Sequence, residues 1–266
     1  MKSFNVKRYR LFAFIVFFLM TAVFAWTFAF APFSETANLL ILNGGTTLSA
    51  LIAAFILTLI PFYYHQDEPP RVIWTAFAVC MWLWTIAEAI WGYLYTRDGE
   101  VPVFSSADIF WLVGYIALTI SLSRQFKLVF FSQTNKVAWV TLGVWLGGLA
   151  VIAVILVAIH SETPLADFFS YFYLLADTVV GLLALYLVYA FRGRALAIPW
   201  LTISSFVLSD FIYIQMTETG VYDYVMHGIS IALLADTLYV VAYLVVAWGC
   251  LEQYLLLRSS ADHSQA

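Results

Sequence analysis

Charge is what this chain has least of. Only 11% of its 266 residues are Asp, Glu, Lys or Arg, while 64% are hydrophobic and the mean hydropathy is +0.91. Soluble domains carry about a quarter charged residues, so an ordinary soluble domain is excluded. Lysine is scarcer still: Lys2, Lys7, Lys127 and Lys136 all lie outside the apolar stretches, which excludes a retinal Schiff base. The two cysteines, Cys80 and Cys250, sit inside apolar stretches and form neither a metal spacing nor a disulfide framework. None of the seven prolines falls at the centre of an apolar run. The helices are therefore expected to be continuous, which removes one sequence pointer to a transporter site built from broken helices. Also absent are a Ser/His or Cys/His constellation, a Gly-rich phosphate loop, a haem-ligating His pair and a basic patch. No cofactor, no nucleic acid partner and no catalytic residue is expected on these grounds.

What the chain does have is a series of long apolar runs, eight in number: Leu11–Ala31, Leu39–Phe62, Val72–Tyr95, Ala107–Leu122, Val137–Ile159, Phe168–Phe191, Ala195–Met216 and Gly228–Leu257. A hydrocarbon core about 30 Å thick needs about 20 apolar residues of helix, so these read as spans. The expected fold class is an all-α integral membrane protein of eight transmembrane helices. With a cytoplasmic N-terminus, 11 of the 12 basic residues fall inside and only Arg97 falls outside. Both termini are then cytoplasmic, in a multi-pass protein of the cell membrane. Lys and Arg before the first run and Ala29-Phe30-Ala31 at its end resemble a signal peptide with its cleavage site. The apolar core of about 20 residues is longer than such a leader's usual about 7–15, and the run is expected to be retained as a span.

Two stretches of the chain copy one another. Ala107-Asp108-Ile109-Phe110-Trp111-Leu112-Val113-Gly114-Tyr115 matches Ala235-Asp236-Thr237-Leu238-Tyr239-Val240-Val241-Ala242-Tyr243, and almost the same offset superposes Ser34-Glu35-Thr36 on Ser161-Glu162-Thr163. The Ser-Glu-Thr segments are expected to be solvated turns. The chain divides into a basic N-terminus (1–10), a first four-helix repeat (11–127), a second (137–257) and a disordered cytoplasmic tail (258–266). An even number of spans per repeat gives both copies the same orientation, hence two parallel repeats related by an axis along the membrane normal. A shorter echo, Leu174-Leu175-Ala176-Asp177-Thr178 and Leu233-Leu234-Ala235-Asp236-Thr237, has Ser49-Ala50 at the corresponding place in the second span.

Five carboxylates lie within the spans: Glu88, Asp108, Asp177, Asp210 and Asp236. At a rise of about 1.5 Å per residue, Glu88 and Asp210 are roughly 10 Å deep, Asp177 and Asp236 roughly 12–13 Å, and Asp108 is shallower. A charged Asp at mid-span costs about 2.5–3.5 kcal/mol on insertion scales, so these acids are expected to face the bundle interior or a wet cavity. Glu88, Trp91 and Tyr95 follow i, i+3, i+7 spacing, as do Asp108, Trp111 and Tyr115, and Asp236, Tyr239 and Tyr243; Asp210 and Tyr213 begin the same pattern. That spacing puts acid and aromatics on one helix face, the chemistry of a cage for a cation. A second reading stands beside it. Ser105-Ser106-Ala107-Asp108 fits a capping box, and the other acids fit interhelical hydrogen-bond glue. Of the four histidines, His160 and His227 fall on the outer side and are the candidate metal ligands, without a ligand signature around them.

Phe104-Ser105-Ser106-Ala107-Asp108-Ile109-Phe110-Trp111-Leu112-Val113-Gly114-Tyr115, after a helix carrying Glu88 and Trp91, resembles the multi-span sensor regions of bacterial diguanylate cyclases and histidine kinases. Those regions often carry a P-x-S-x-A-D-x-(aromatic)-x-x-x-Y stretch, and the resemblance covers about 30 residues. It implies a sensor role, with signalling through a separate cytoplasmic partner because fewer than ten residues follow the last span. Three functions remain open at this point. The leading one is a sensor-like or ligand-binding module with an outward-facing acidic and aromatic pocket for a small cationic or polar ligand. The second is a secondary transporter or cation permease that uses the same acids. The third is an intramembrane metal hydrolase using His160 or His227.

Overall fold

The computed structural model describes residues 6–130, 164–226 and 229–264, and positions 140, 143, 147, 148 and 151 between them. Among the described residues seven helices carry the fold: α1 (Val6–Phe30), α2 (Glu35–Leu59), α3 (Pro69–Asp98), α4 (Ser106–Phe130), α5 (Pro164–Ala190), α6 (Ala197–Glu218) and α7 (Ile231–Ser264). Each contains a stretch long and apolar enough to cross a membrane. Their outer faces carry the matching surface. Phe12, Phe18, Phe55, Ile116 and Leu208 are each 60% exposed or more, an apolar surface that lipid covers and water would not tolerate. The architecture is that of a multi-pass helical membrane protein. The expected span Val137–Ile159 lies almost wholly outside the described residues, as does Ser161-Glu162-Thr163.

Local chemistry sets the helix ends. Ser34 caps α2, its side chain accepting from the Ala37 N–H. Ser34-Glu35-Thr36 is thus a helix start, where the sequence suggested a solvated turn. Pro69 opens α3, where a missing N–H costs nothing, and Gly99 ends it in the left-handed conformation (φ 77°). The tail also differs from expectation. Residues 258–264 continue α7, with the Ser259 and Ser260 hydroxyls donating to the Leu256 carbonyl and Arg258 to the Tyr254 hydroxyl. Polar composition alone suggested disorder there, but a helix already nucleated by the long span propagates cheaply.

Six helices form a closed ring in chain order, α2 to α7, with α7 returning against α2; α1 packs outside, on the seam between α2 and α7. Within the ring, α2, α3 and α4 alternate in direction. Asn43 meets Gly92 and Thr58 meets Trp82; Ser121 meets Ile73 and Trp111 meets Trp84. The next neighbours run parallel: Phe104 packs on Phe169, Tyr115 on Asp177, and Phe126 on Tyr186, so α4 and α5 point the same way. The α2–α7 seam is also parallel, with Leu42 packed on the cluster of Phe24, Val240 and Leu244, and Tyr63, just past α2, beside Tyr254. Arg10 pairs with the buried Glu252, fixing the start of α1 beside the last third of α7. A short antiparallel hairpin (β1 Val225–Met226, β2 Ile229–Ser230) joins α6 to α7 at the opposite end.

The core fills the ring's lower part with aromatics from α3 and α6, which face each other across it. Trp74 and Trp200 stack at 5.6 Å, Phe77 and Trp200 at 6.3 Å, and Trp84 and Phe206 at 4.9 Å. Above this aromatic floor the ring opens.

Candidate functional site

A cavity of about 610 Å³ occupies the end of the ring opposite the N-terminus, and all seven helices line it. Its floor is Trp84 and Phe206. Its acids are Glu88, Asp210 and Asp236. Its walls are Trp91, Tyr95, Trp111, Tyr115, Tyr213 and Tyr239, with Phe24, Phe28, Leu39 and Leu42 from α1 and α2 closing the remaining side. Among the described residues no lysine, arginine or histidine lines it. Of the aromatic pairs, Trp91 and Tyr95 stack almost flat, 5.2 Å apart with 5° between planes. A second cavity of about 360 Å³ lies beyond, lined by Trp91, Tyr95, residues 99–103, Asp108 and Trp111. The two cavities share Trp91, Tyr95 and Trp111 as a common wall.

The seating of Trp84 depends on one glycine. Its indole N–H donates to the Trp111 carbonyl at 3.3 Å, and a Cβ placed on Gly114 would stand 2.3 Å from the indole nitrogen. No side chain fits at 114, so the glycine of the repeated motif admits the floor of the cavity.

Each acid has a tyrosine donor, and those of Glu88 and Asp210 come from across the ring. The Tyr243 hydroxyl donates to Glu88 Oε1 at 2.7 Å, and Tyr239 reaches the same oxygen at 3.3 Å. The Tyr115 hydroxyl lies 2.6 Å from Asp177 Oδ1 and 3.2 Å from Asp210 Oδ2. Tyr115 and Tyr243 are the matched tyrosines of the two copies, and each bonds to acids of the other half. Their packing matches as well. Tyr115 sits edge-on to Trp84 at 5.2 Å and 63°, and Tyr243 edge-on to Phe206 at 4.9 Å and 61°. Trp84 and Phe206 in turn stand four residues before Glu88 and Asp210, one helical turn below each acid.

The remaining acids are placed differently. Asp236 is half-buried, lines the main cavity, and accepts from the Tyr222 hydroxyl at 2.9 and 3.0 Å. Burial, and then the Asp236 charge, push the Tyr222 phenol above its ordinary range, keeping it a donor. Asp108 closes a capping box: its Oδ2 accepts from the Ser105 N–H at 2.7 Å while Ser105 Oγ accepts from the Ala107 N–H at 3.2 Å. Its other oxygen accepts from the Tyr173 hydroxyl at 2.7 Å. Asp177 is 1% exposed and sits behind Tyr115 rather than on the cavity wall, as does the fully buried Tyr243.

The expected single-face arrangement is therefore corrected in one respect. Tyr239 and Tyr243 stand on the helix of Asp236, but their hydroxyls go to Glu88 on α3, because the i+3 and i+7 positions point across the ring. Sequence reasoning passed over Trp84, Phe206 and Tyr173, although each lies four residues before an intramembrane acid, which was legible. Tyr222 comes from a short 3₁₀ turn after α6 and carries no sequence signal. His160 and His227 lie outside the described residues, and among the described residues no three His, Cys, Asp or Glu side chains gather as a metal site. No family model, no curated protein and no solved structure matches the chain.

Proposed function

We propose that the protein is a sensor-like binding module of the cell membrane that takes a small organic cation in the acidic and aromatic cavity. The observation that carries this reading is the lining itself: Glu88, Asp210 and Asp236 face an aromatic-walled space, and among the described residues no basic side chain lines it to neutralise them. A cation satisfies both features at once, through charge pairing and through the faces of Trp and Tyr rings. A volume of about 610 Å³ is far more than a bare metal ion occupies. It falls in the range of about 300–1,000 Å³ of small-molecule sites. Glu88 is the anchor, held by Tyr239 and Tyr243. Trp91 and Tyr213 are walls, and Asp108, with Trp111, borders the outer cavity.

The proposed membrane arrangement is eight spans in two parallel repeats with both termini cytoplasmic. Chain direction supports the count. Because α4 and α5 run parallel, the chain between them has to return to the side on which α4 begins, and a crossing at 137–159 would do so. The ring supports the repeat. Helices α2, α3 and α4 stand opposite α5, α6 and α7, and the matched tyrosines make matching edge contacts. Signalling would pass to a separate cytoplasmic partner, consistent with the resemblance to sensor regions. Transport through the same acids is the weaker reading, because the stacked Trp74, Trp84, Trp200 and Phe206 close the cavity towards the other side.

The test is thermal stabilisation of the purified protein by tetramethylammonium, benzyltrimethylammonium and tetraphenylphosphonium, with sodium and magnesium as controls. The expected result is a saturable rise with an aromatic or quaternary cation that falls at least about tenfold in apparent affinity in Glu88→Gln. Equal effects of all cations on wild type and variant would remove the reading. Uptake of the same cations into sealed proteoliposomes would favour the transporter.

A further inference from the structure

The two tyrosine–acid arrangements differ in one buried oxygen. On the Glu88 side, two phenols serve one carboxylate. On the other side, one phenol serves two carboxyls, Asp177 and Asp210, at 2.6 and 3.2 Å. Tyr115 carries a single hydrogen, so it donates to one of them at a time. The other contact is a hydrogen bond only if a carboxyl carries a hydrogen of its own. Asp177 Oδ2 sharpens the point: it is buried, in a residue 1% exposed, and no donor among the described residues reaches it, while the side chain it meets besides Tyr115 is the other carboxyl, Asp210. A bare carboxylate oxygen left so is expensive in any apolar interior, and a proton on it removes most of the cost.

Among the described residues, the groups that face this carboxyl pair offer no cation in exchange. They are Tyr115 on α4, Tyr173 on α5, Tyr213 on α6, Glu88 on α3, and Tyr239 and Tyr243 on α7, all of them phenols or acids. Asp210 opens onto the cavity while Asp177 does not. Asp177 is also the member without a counterpart, since Ser49-Ala50 occupies the corresponding place in the first half.

We propose that Asp177, Tyr115 and Asp210 form a proton-binding site, in which the two carboxyls hold one proton between them and give it up when an organic cation pairs with Asp210 from the cavity. On release the carboxyl O–H bond breaks and its electron pair stays on the carboxylate, which becomes the cation's counter-charge. The proton leaves to cavity water, directly from Asp210 or from Asp177 through the Tyr115 hydroxyl, which accepts on one side as it donates on the other. Net charge in the site is unchanged by the exchange. The trigger rests on the cation-binding reading; the proton site rests on the geometry above.

Infrared spectroscopy of the full-length protein at neutral pH reads the proton directly, as the C=O stretch of a protonated carboxyl. The expected band is present in wild type and Glu88→Gln, lost in both Asp177→Asn and Asp210→Asn, and shifted but retained in Tyr115→Phe. Absence of the band from wild type, or its loss in Glu88→Gln alone, overturns the proton site. Thermal unfolding of each variant excludes misfolding as the cause of a lost band, and a misfolded Asp177→Asn is replaced by Asp177→Ser. Tetraphenylphosphonium added in lightly buffered solution is expected to release one proton per cation bound by wild type and none by Asp177→Asn. Binding without release overturns the coupling and leaves the cation reading standing. A carboxyl band that maps to Asp177 and Asp210, with no binding of tetraphenylphosphonium, upholds the proton site and overturns its coupling to cations.

Discussion

The Tyr243–Glu88 contact and the Tyr115–Asp177–Asp210 contact are built from matched parts and do different work. In both, a tyrosine seven residues after the motif's Asp crosses the ring, lies edge-on to an aromatic of its own half, and bonds to an acid of the other. Around Glu88 the donors outnumber the acceptor oxygen, so the carboxylate is held fixed for use in the cavity. Around Tyr115 the acceptors outnumber the donor, and one carboxyl oxygen is left over. A single Ala-Asp pair on α5, where α2 has Ser49-Ala50, makes that difference. The two contacts share a frame, and the departure from the match between them supplies the group with unfinished chemistry.

The largest expected effect separates the two halves at their packing. Gly114 and Ala242 hold the same motif position, and Gly114 lies against the Trp84 indole ring. Gly114→Ala would put a methyl 2.3 Å from the Trp84 nitrogen, with a cost of about 1–3 kcal/mol or more from overpacking. Ala242→Gly loses only a buried methyl and some backbone restriction, about 1 kcal/mol. Denaturant unfolding in micelles should show Gly114→Ala as the more damaging, with Trp fluorescence altered as Trp84 is displaced. Equal losses would mean that the two halves pack alike after all.

The next comparison sets one hydroxyl deletion against the other. Tyr243→Phe leaves Glu88 with the Tyr239 donor and should cost about 0.5–1.5 kcal/mol, the net worth of one hydrogen bond. Tyr115→Phe strips the shared donor from two carboxyls and should cost about 1–3 kcal/mol, as expected when buried groups lose their partner. Adding Asp177→Ser to Tyr115→Phe should recover part of that loss, because the second change removes an orphaned acid. A double-mutant cycle with no coupling between 115 and 177 would break the distinction.

Much of this frame was legible in the sequence, and the reason lies in which forces write locally. Apolar length placed the seven described helices, as Val72–Tyr95 against the observed Pro69–Asp98 shows, though α4 and α7 run on past the expected Leu122 and Leu257 and Val137–Ile159 lies almost wholly outside the described residues. The rarity of charge inside those spans picked out Glu88, Asp108, Asp177, Asp210 and Asp236 without any structure. What the sequence could not carry was the pairing across the ring. Whether Tyr243 meets Asp236 on its own helix or Glu88 on another depends on how α3 and α7 are rotated and offset, which no local pattern records. Tyr222 shows the same limit from a loop: its hydroxyl reaches Asp236 only because the 3₁₀ turn after α6 folds back over the start of α7.

The smallest expected effects come from Asp108 and its matched partner Asp236, where the two copies differ in role rather than in strength. Asp108 is occupied with Ser105 at the start of α4 and with Tyr173, so Ser105→Ala should cost about 1 kcal/mol of stability, the usual worth of a cap. It should leave affinity for tetraphenylphosphonium unchanged, since Asp108 borders only the outer cavity. Asp236 holds no cap and faces the main cavity, so Asp236→Asn should change stability by less than that and weaken the cation, because its charge is available to a ligand. Unfolding and binding measured on the same two variants separate these roles. Should Ser105→Ala weaken binding more than Asp236→Asn, the outer cavity and not the main one would be where the cation is held. Trp91, Tyr95 and Trp111, which both cavities share, would then have to be counted as the floor of the site instead of its roof.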